Sequence, residues 1–271
     1  MILGTLQPFT EALKSVEDKN VLPTDMTSAE LQQLGGEFHR ANFTSARTLL
    51  TDLLDQYKAD VLDIINPTVE QRADRVTESN PEGNVNVGLD QAQARLRAKQ
   101  LLDELGYSPN SDEAGTIKDL SSDQRINLVL ETNRDIARGF GWFLQGQDQA
   151  ALDAYPCQEL VRIEMRKKER NWPVRFLAAA RDVGDEDAMR VYGETGRMIA
   201  RKDSPLWQAL GDGAGGFESD ALGNPFEPFA FNSGEGLRDI GYTQSVALGF
   251  VKPGQKLQPQ KLSYPQPPAN N

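Results

Sequence analysis

Between Phe43 and Ile65 apolar residues return every three or four positions, at Phe43, Ala46, Leu50, Leu53, Leu54, Tyr57, Val61 and Ile65. That spacing lines them along one stripe of an α-helix; a strand, whose faces alternate at every second residue, would scatter them over both sides. Such a stripe has to be covered by other elements, so a packed helical region built around this long helix is expected. Asn66-Pro67 ends it, and the same pair can cap a following helix with Pro67 in its first turn, so two helices are expected to meet at a corner. Upstream, Thr27-Ser28-Ala29-Glu30 has the form of a capping box and starts a short helix, with a break at Gly35-Gly36. Downstream, Asn80-Pro81-Glu82-Gly83 is turn chemistry, and a further helix is expected from about Leu89 to Leu105, stopping at Gly106. Residues 1–116 thus form a nearly all-helical region ending in the polar connector Tyr107 to Thr116.

Ser121 with Gln124 opens another helix, with Ile126, Val129, Ile136, Ala137 and Phe140 on one face. Beyond Gly146 the periodicity weakens. A short helix is expected near Gln149 to Tyr155, a strand at Leu160 to Met165, a short helix from Ser204-Pro205 carrying Leu206, Trp207 and Leu210, and short strands at Ala230-Phe231 and Val246 to Val251. The fold class expected is α+β, predominantly helical: a helical region 1–116, a compact irregular α+β domain 117–251, and an extended tail 252–271. From Lys252 to Asn271 the chain holds five prolines and four glutamines, too little apolar surface for a core. Such a tail either becomes ordered along a partner or stays a loose end, and the residues leave both open.

The formal net charge of −11 disfavours sequence-independent wrapping of nucleic acid, which draws its free energy from many Lys and Arg contacts to phosphates. Within this acidic chain Arg162, Arg166, Lys167, Lys168, Arg170, Arg175 and Arg181 crowd around Trp172. Arg166, Lys167, Lys168, Arg170, Trp172 and Arg175 are the candidate contacts to DNA or to an acidic partner, Arg through forked hydrogen bonds and Trp172 by stacking. The alternative is a solvated strand-to-loop face paired with Glu159, Glu164 and Glu169. A lone cysteine, Cys157, excludes an internal disulfide and suits a reducing compartment. The start of the chain does not read as a secretory signal, and no run approaches the roughly 18 apolar residues of a membrane span.

No catalytic constellation is expected. The lone histidine, His39, and Cys157 would have to meet across the two regions to work as a nucleophile pair, and Cys157 reads instead as a small buried apolar residue. Gly211-Asp212-Gly213-Ala214-Gly215-Gly216 fits the letters of a dinucleotide fingerprint but lacks the preceding strand, and reads as a loop. The acidic run Asp185-Glu186-Asp187 lacks the ligand spacing of a calcium loop and reads as a surface turn. No cofactor and no metal are expected. A carboxylate-based enzyme using Glu131 is the reading from another class, since two carboxylates need only geometry; a DNA-binding regulator is a third.

Three stretches carry a resemblance. Ile117-Lys118-Asp119-Leu120, through Arg125-Ile126-Asn127-Leu128-Val129-Leu130-Glu131-Thr132-Asn133 to Ala137-Arg138-Gly139, resembles the helix of the Mu protein F-like minor head (head morphogenesis) proteins of tailed phages. Trp172-Pro173-Val174-Arg175-Phe176, Gly196-Arg197-Met198-Ile199-Ala200 and Asp203-Ser204-Pro205-Leu206-Trp207 look like the middle of such proteins. Pro228-Phe229-Ala230-Phe231-Asn232-Ser233-Gly234 looks like their closing element, although the cysteine frequent there is replaced by Asn232-Ser233-Gly234. The resemblance covers roughly residues 117–251 and implies a low-copy, non-enzymatic virion protein, assembled in the host cytoplasm. It further implies association with portal or inner capsid subunits, oligomeric in the particle and acting in head assembly or genome delivery, with no membrane partner. A head-to-tail adaptor and a capsid accessory protein are the neighbouring readings. All would work through buried interfaces, for which Trp142, Phe143, Trp207, Phe226, Phe229 and Phe231 are candidate anchors unless they serve as core.

Overall fold

The computed structural model describes residues 9–66, 68–71, 76–77, 81, 84–87, 89–164, 170–231 and 233–262. The first half runs α1 (Thr10–Glu17), β1 (Asn20–Val21), α2 (Ser28–Gln32), α3 (Gly35–Ala41), β2 (Asn42–Phe43), α4 (Thr51–Ile65), β3 (Thr68–Gln71), β4 (Asn84–Val87) and α5 (Gln91–Glu104). The second half runs α6 (Asp123–Gly146), α7 (Gln149–Ala154), β5 (Cys157–Arg162), α8 (Trp172–Val183), α9 (Glu186–Thr195), β6 (Met198–Arg201), α10 (Leu206–Gly211), β7 (Glu235–Ile240) and α11 (Tyr242–Ala247). The fold is predominantly helical α+β. Its described residues divide into two compact units that interleave along the sequence: one lies within 9–25 and 42–138, the other within 26–41 and 139–262.

In the first unit the buried stripe of α4, Leu53, Leu54, Tyr57, Val61 and Ile65, packs with Ala12 and Val16 of α1, Ala94, Ala98 and Leu102 of α5, and Ile126, Val129 and Leu130 of α6. The alanines of α5 let its backbone approach the larger side chains of α4. The helix expected from Phe43 begins only at Thr51. Residues 42–48 are instead drawn into pairing with 20–24: β1 and β2 are parallel, and the Leu22 and Thr24 amides donate to the Phe43 and Thr48 carbonyls at 3.0 and 2.9 Å. Tertiary hydrogen bonding here overrides a helical period. The break expected at Gly35-Gly36 is the first turn of α3, and the second helix expected after Asn66 is replaced by β3, antiparallel to β4. Pro67, Asn80, Glu82 and Gly83 lie outside the described residues. The Thr27 capping box forms with both reciprocal bonds, α5 ends as expected just before Gly106, and α6 takes its cap from Ser122 rather than Ser121, the Arg125 amide donating to the Ser122 hydroxyl at 3.2 Å.

The second unit is built on a three-stranded antiparallel sheet in the order β6-β5-β7. Cys157 lies opposite Arg201 on one side and Ile240 on the other, and Gln158 opposite Ala200 and Asp239. Trp172, Phe176, Ala179 and Ala180 of α8 pack with Leu160, Leu206, Trp207 and Phe229 into its core. Two helices, α8 and α9, fill a stretch for which only irregular structure was expected. The Asn171 side chain caps α8 by accepting from the Val174 amide at 3.3 Å, Pro173 sits in its first turn, and Gly184 ends it at φ +69°. The strand expected at Leu160 to Met165 is β5, three residues earlier. That expected at Val246 to Val251 is instead the end of α11 and a turn, with Phe250 and Val251 buried; Ala230 forms only an isolated bridge to Ala221.

Residues 252–262 carry no helix or strand. They are nevertheless held: Leu257 is buried with Leu152 and Val251, Lys256 pairs with Asp153 at 2.7 Å, and the Gln260 amide donates to Gln147 Oε1 at 2.8 Å.

Candidate interaction site

Two arginines of the basic cluster are committed to a single carboxylate. Asp220 is gripped by both arginines nearest Trp172: Arg175 forks onto it through Nη1 and Nη2 at 2.7 and 2.9 Å, and Arg170 reaches it through Nε at 2.6 Å. Burial pushes the Asp220 carboxyl up, but the hydrogen bonds and charges of Arg175 and Arg170 more than offset it and hold it below the ordinary carboxylate range. Arg170 also donates to the Phe231 carbonyl. Trp172 is 2% exposed, and the Arg175 guanidinium lies 5.1 Å from its ring centroid and 4.5 Å from that of Phe217. The indole is core, with no open face on which a base could stack. Arg162 pairs with Glu235 at 3.3 Å. Glu159, expected beside this cluster, is held instead by Arg197 and Arg238 at 2.7 and 2.5 Å. Arg166, Lys167 and Lys168 lie outside the described residues.

Of the residues weighed for catalysis, Cys157 is fully buried among Val191, Ile199 and Ile240. Burial pushes its thiol up to about 12, with only partial relief from the Ser245 hydroxyl, the opposite of what a nucleophile needs. The His39 ring places Nε2 3.0 Å from the Leu31 carbonyl. Glu131 accepts from the Gln91 side chain, Nε2 to Oε1, at 2.7 Å. The glycine run follows α10 rather than a strand; a side chain at Gly211 would lie 1.8 Å from the Asn224 carbonyl oxygen, so this glycine serves close backbone packing. Among the described residues no group of three His, Cys, Asp or Glu is placed to hold a metal ion, and no helix is long and apolar enough to cross a membrane.

What the second unit does present is a cleft of about 510 Å³, within the size range of peptide and ligand sites. Its inner wall is apolar. Phe226 stacks obliquely on Phe143 and Phe140, with ring centroids 5.8 and 5.5 Å apart. The close approach of α6 to this wall requires Gly139, where a Cβ would sit 1.6 Å from the Glu227 carbonyl oxygen. The floor is polar: Lys202, 3% exposed, pairs with Asp239 at 2.7 Å and lies 6.0 Å from the Tyr155 ring centroid. Gln147 and Gln158 add amides to the lining. The rim is formed by large side chains open to solvent: Trp142 is 54% exposed, Tyr155 46% and Ile163 65%. An apolar rim over a floor with paired charge and amides suits an extended peptide better than a small ion.

Trp142, Phe143 and the buried Phe226 are thus the anchors from the sequence that lie at this cleft, while Trp207 and Phe229 are buried as core. Lys202, Asp239, Tyr155 and Ile163 were not singled out by sequence. The signal that could have pointed there is Gly139-Phe140-Gly141-Trp142-Phe143, two small residues spacing aromatics on a helix that has more large side chains than one buried face can take. No family model, no curated protein and no solved structure matches the chain, so the resemblance to the minor head proteins stands on the residues that carry it.

Proposed function

We propose that the chain is a structural minor head protein of a tailed phage, docked on portal or inner capsid subunits and acting in head assembly or genome delivery by binding rather than by catalysis. The observation that carries this reading is the solvent-exposed apolar rim of Trp142, Tyr155 and Ile163 around the cleft, a surface of the kind that protein partners cover. The resemblance over residues 117–251 supports it and supplies the virion as the place of action. The proposed DNA contact narrows, because Arg170 and Arg175 are committed to Asp220; it rests on Arg166, Lys167 and Lys168.

Quantitative peptide mass spectrometry on purified, nuclease-treated particles tests the reading, with abundance normalised to the major capsid subunit. A low, fixed copy number is expected, and incorporation should fall at least about tenfold for Trp142→Glu, which removes an exposed apolar anchor without touching the core. Absence of the chain from particles overturns the virion role. A copy number equal to that of the capsid subunit would assign it to the shell instead.

A further inference from the structure

The two edges of the second unit's sheet are finished differently. In the order β6-β5-β7 each outer strand turns one side away from the sheet. The Lys202 amide donates to the Pro156 carbonyl at 2.9 Å, and the Ile163 amide to the Gly234 carbonyl at 2.9 Å. An antiparallel ladder alternates bonded and non-bonded pairs, so these two bonds fix which main-chain groups face β5. In β6 they are those of Met198 and Ala200, and in β7 those of Gly236, Arg238 and Ile240. The groups between them point outward. On β6 the outward Arg201 carbonyl accepts from the Trp207 indole at 2.8 Å. On β7 the outward amides and carbonyls of Leu237 and Asp239 meet no hydrogen-bonding group among the described residues, and both residues line the cleft.

We propose that β7 and the cleft together receive an extended segment of a partner protein, added antiparallel to β7 as a fourth strand and carrying an arginine opposite Asp239. The inference rests on the proposed docking role and names the chemistry of its partner. Strand addition draws affinity from main-chain hydrogen bonds and selectivity from pockets for alternate side chains. A segment paired with Leu237 and Asp239 turns its own alternate residues over the cleft. The position opposite Asp239 calls for a cation. Lys202 is 3% exposed and bonded to one Asp239 oxygen, whereas the Asp239 side chain is 53% exposed, so the charge that the cleft floor turns to solvent is acidic. Among the lining residues two carboxylates, Asp239 and Glu227, stand against the single cation of Lys202. Arginine suits this place better than lysine, because its flat guanidinium forks onto a carboxylate and stacks on rings; Trp142 and Tyr155 supply rings at the rim. The same unit uses that combination in its interior, where Arg175 forks onto Asp220 with its guanidinium 5.1 Å from the Trp172 ring centroid and 4.5 Å from that of Phe217. The cleft is an open counterpart of that arrangement, with the arginine left to the partner. Two positions along the segment, the residue opposite Leu237 falls on the apolar side of the lining with Ile163, which suits a large apolar side chain.

The experiment is an NMR titration, read on the backbone amides and tryptophan indoles of the full chain, with the capped peptide Thr-Val-Thr-Arg-Thr-Val-Thr. Two control peptides accompany it. In one, citrulline replaces the arginine, which keeps the shape and removes the charge; in the other, the amides of the arginine and both valines are methylated, which blocks strand pairing. The Leu237 and Asp239 amides and the Trp142 indole are expected to shift together with the arginine peptide, and the affinity to fall at least about tenfold for each control. Equal affinity for the arginine and citrulline peptides overturns the proposal. Shifts at Trp142 with the Leu237 and Asp239 amides unmoved also overturn it, as does the lack of any shift at about 1 mM peptide. Binding is read on the isolated chain, so it can fail while incorporation into particles holds, or hold while incorporation fails.

Discussion

The two units meet the same demand, a dry interior with a few ionisable groups in it, by different means. The first buries mainly aliphatic side chains and alanines along α4 and α5, and two of its ionisable groups, Asp60 and Arg125, are governed by burial, while for Asp119 burial is outweighed by hydrogen bonds from Gly115, Ser121 and Tyr107, which hold it low. Asp60, whose side chain is fully buried, is pushed up by desolvation, which hydrogen bonds from Gln56 and Arg97 only partly offset. Arg125 is pushed down by desolvation while it donates to Ser45, Ala46 and Thr48 rather than to a carboxylate. The second buries Trp172, Phe176, Trp207 and Phe229 and meets each of two carboxylates with a pair of arginines, so that in Glu159 and Asp220 pairing wins over burial and both are held low. The lesson is that the depth of a charge does not fix the direction of its shift; the number and aim of its partners do.

The largest test of that contrast is Trp207→Ala. It removes a ring packed 6.2 Å from Phe176 and 5.9 Å from Phe229, together with the indole hydrogen bond to the Arg201 carbonyl. A loss of about 3–5 kcal/mol is expected in denaturant unfolding. Native-state hydrogen exchange should show faster exchange in β5 and α8 while α4 keeps its protection; equal losses in both would mean that the cores are not separate.

A smaller effect is expected from Glu159→Gln, which leaves Arg197 and Arg238 without their shared anion. Breaking a fully buried pair costs about 3–5 kcal/mol, but Arg238 is 60% exposed, so about 1–2 kcal/mol is the discounted expectation near pH 7. The folded carboxyl lies below its unfolded value, so its contribution is present above the ordinary carboxylate range of about 4.3 and is lost as pH falls through the folded value. The melting temperature of the variant should therefore fall less steeply with acid than that of the parent.

Asp60→Asn sharpens the comparison from the other side, with a change below about 1 kcal/mol. Here the folded pKa is raised, so stability is fully present below the ordinary value and is lost as pH rises through the folded one. Relative to the parent, the variant should gain stability as pH rises from about 4 to about 7, opposite in sign to Glu159→Gln. Identical pH trends for the two variants would break the contrast.

Several elements that depend on neighbours in sequence were legible. The Thr27 capping box, the helix end at Gly106 and the short helix after Ser204-Pro205 are each fixed by bonds spanning a few residues. Asn171, Pro173 and Gly184 were equally readable start and stop signals for α8, hidden because glycine and charge density suggested irregularity. What could not be read were the elements decided at a distance, such as the pairing of Phe43 with Val21 that shortens α4. The cleft lies between these cases. Trp142 could be named as an anchor, but the Lys202–Asp239 pair arises only because β6 and β7 flank β5 in a register that places Gln158 opposite Asp239 and Cys157 opposite Arg201. The same holds for the basic cluster, where Asp220, 45 residues beyond Arg175 in sequence, claims both Arg170 and Arg175.

The second unit draws α2 and α3 from early in the chain. Gln32 donates to the Ser219 carbonyl and Arg40 to the Gly223 carbonyl, across sequence separations of 187 and 183 residues. On a ribosome adding about 5–20 residues per second, these helices wait roughly 10–40 s before their partners are made. During that interval Leu31, buried in the finished protein, is open to chaperones and to sister chains on the same message. Yield in a cell is thus set partly by the pace of translation through the middle of the gene, and synonymous codon changes there should alter how much folded protein accumulates without altering a single residue.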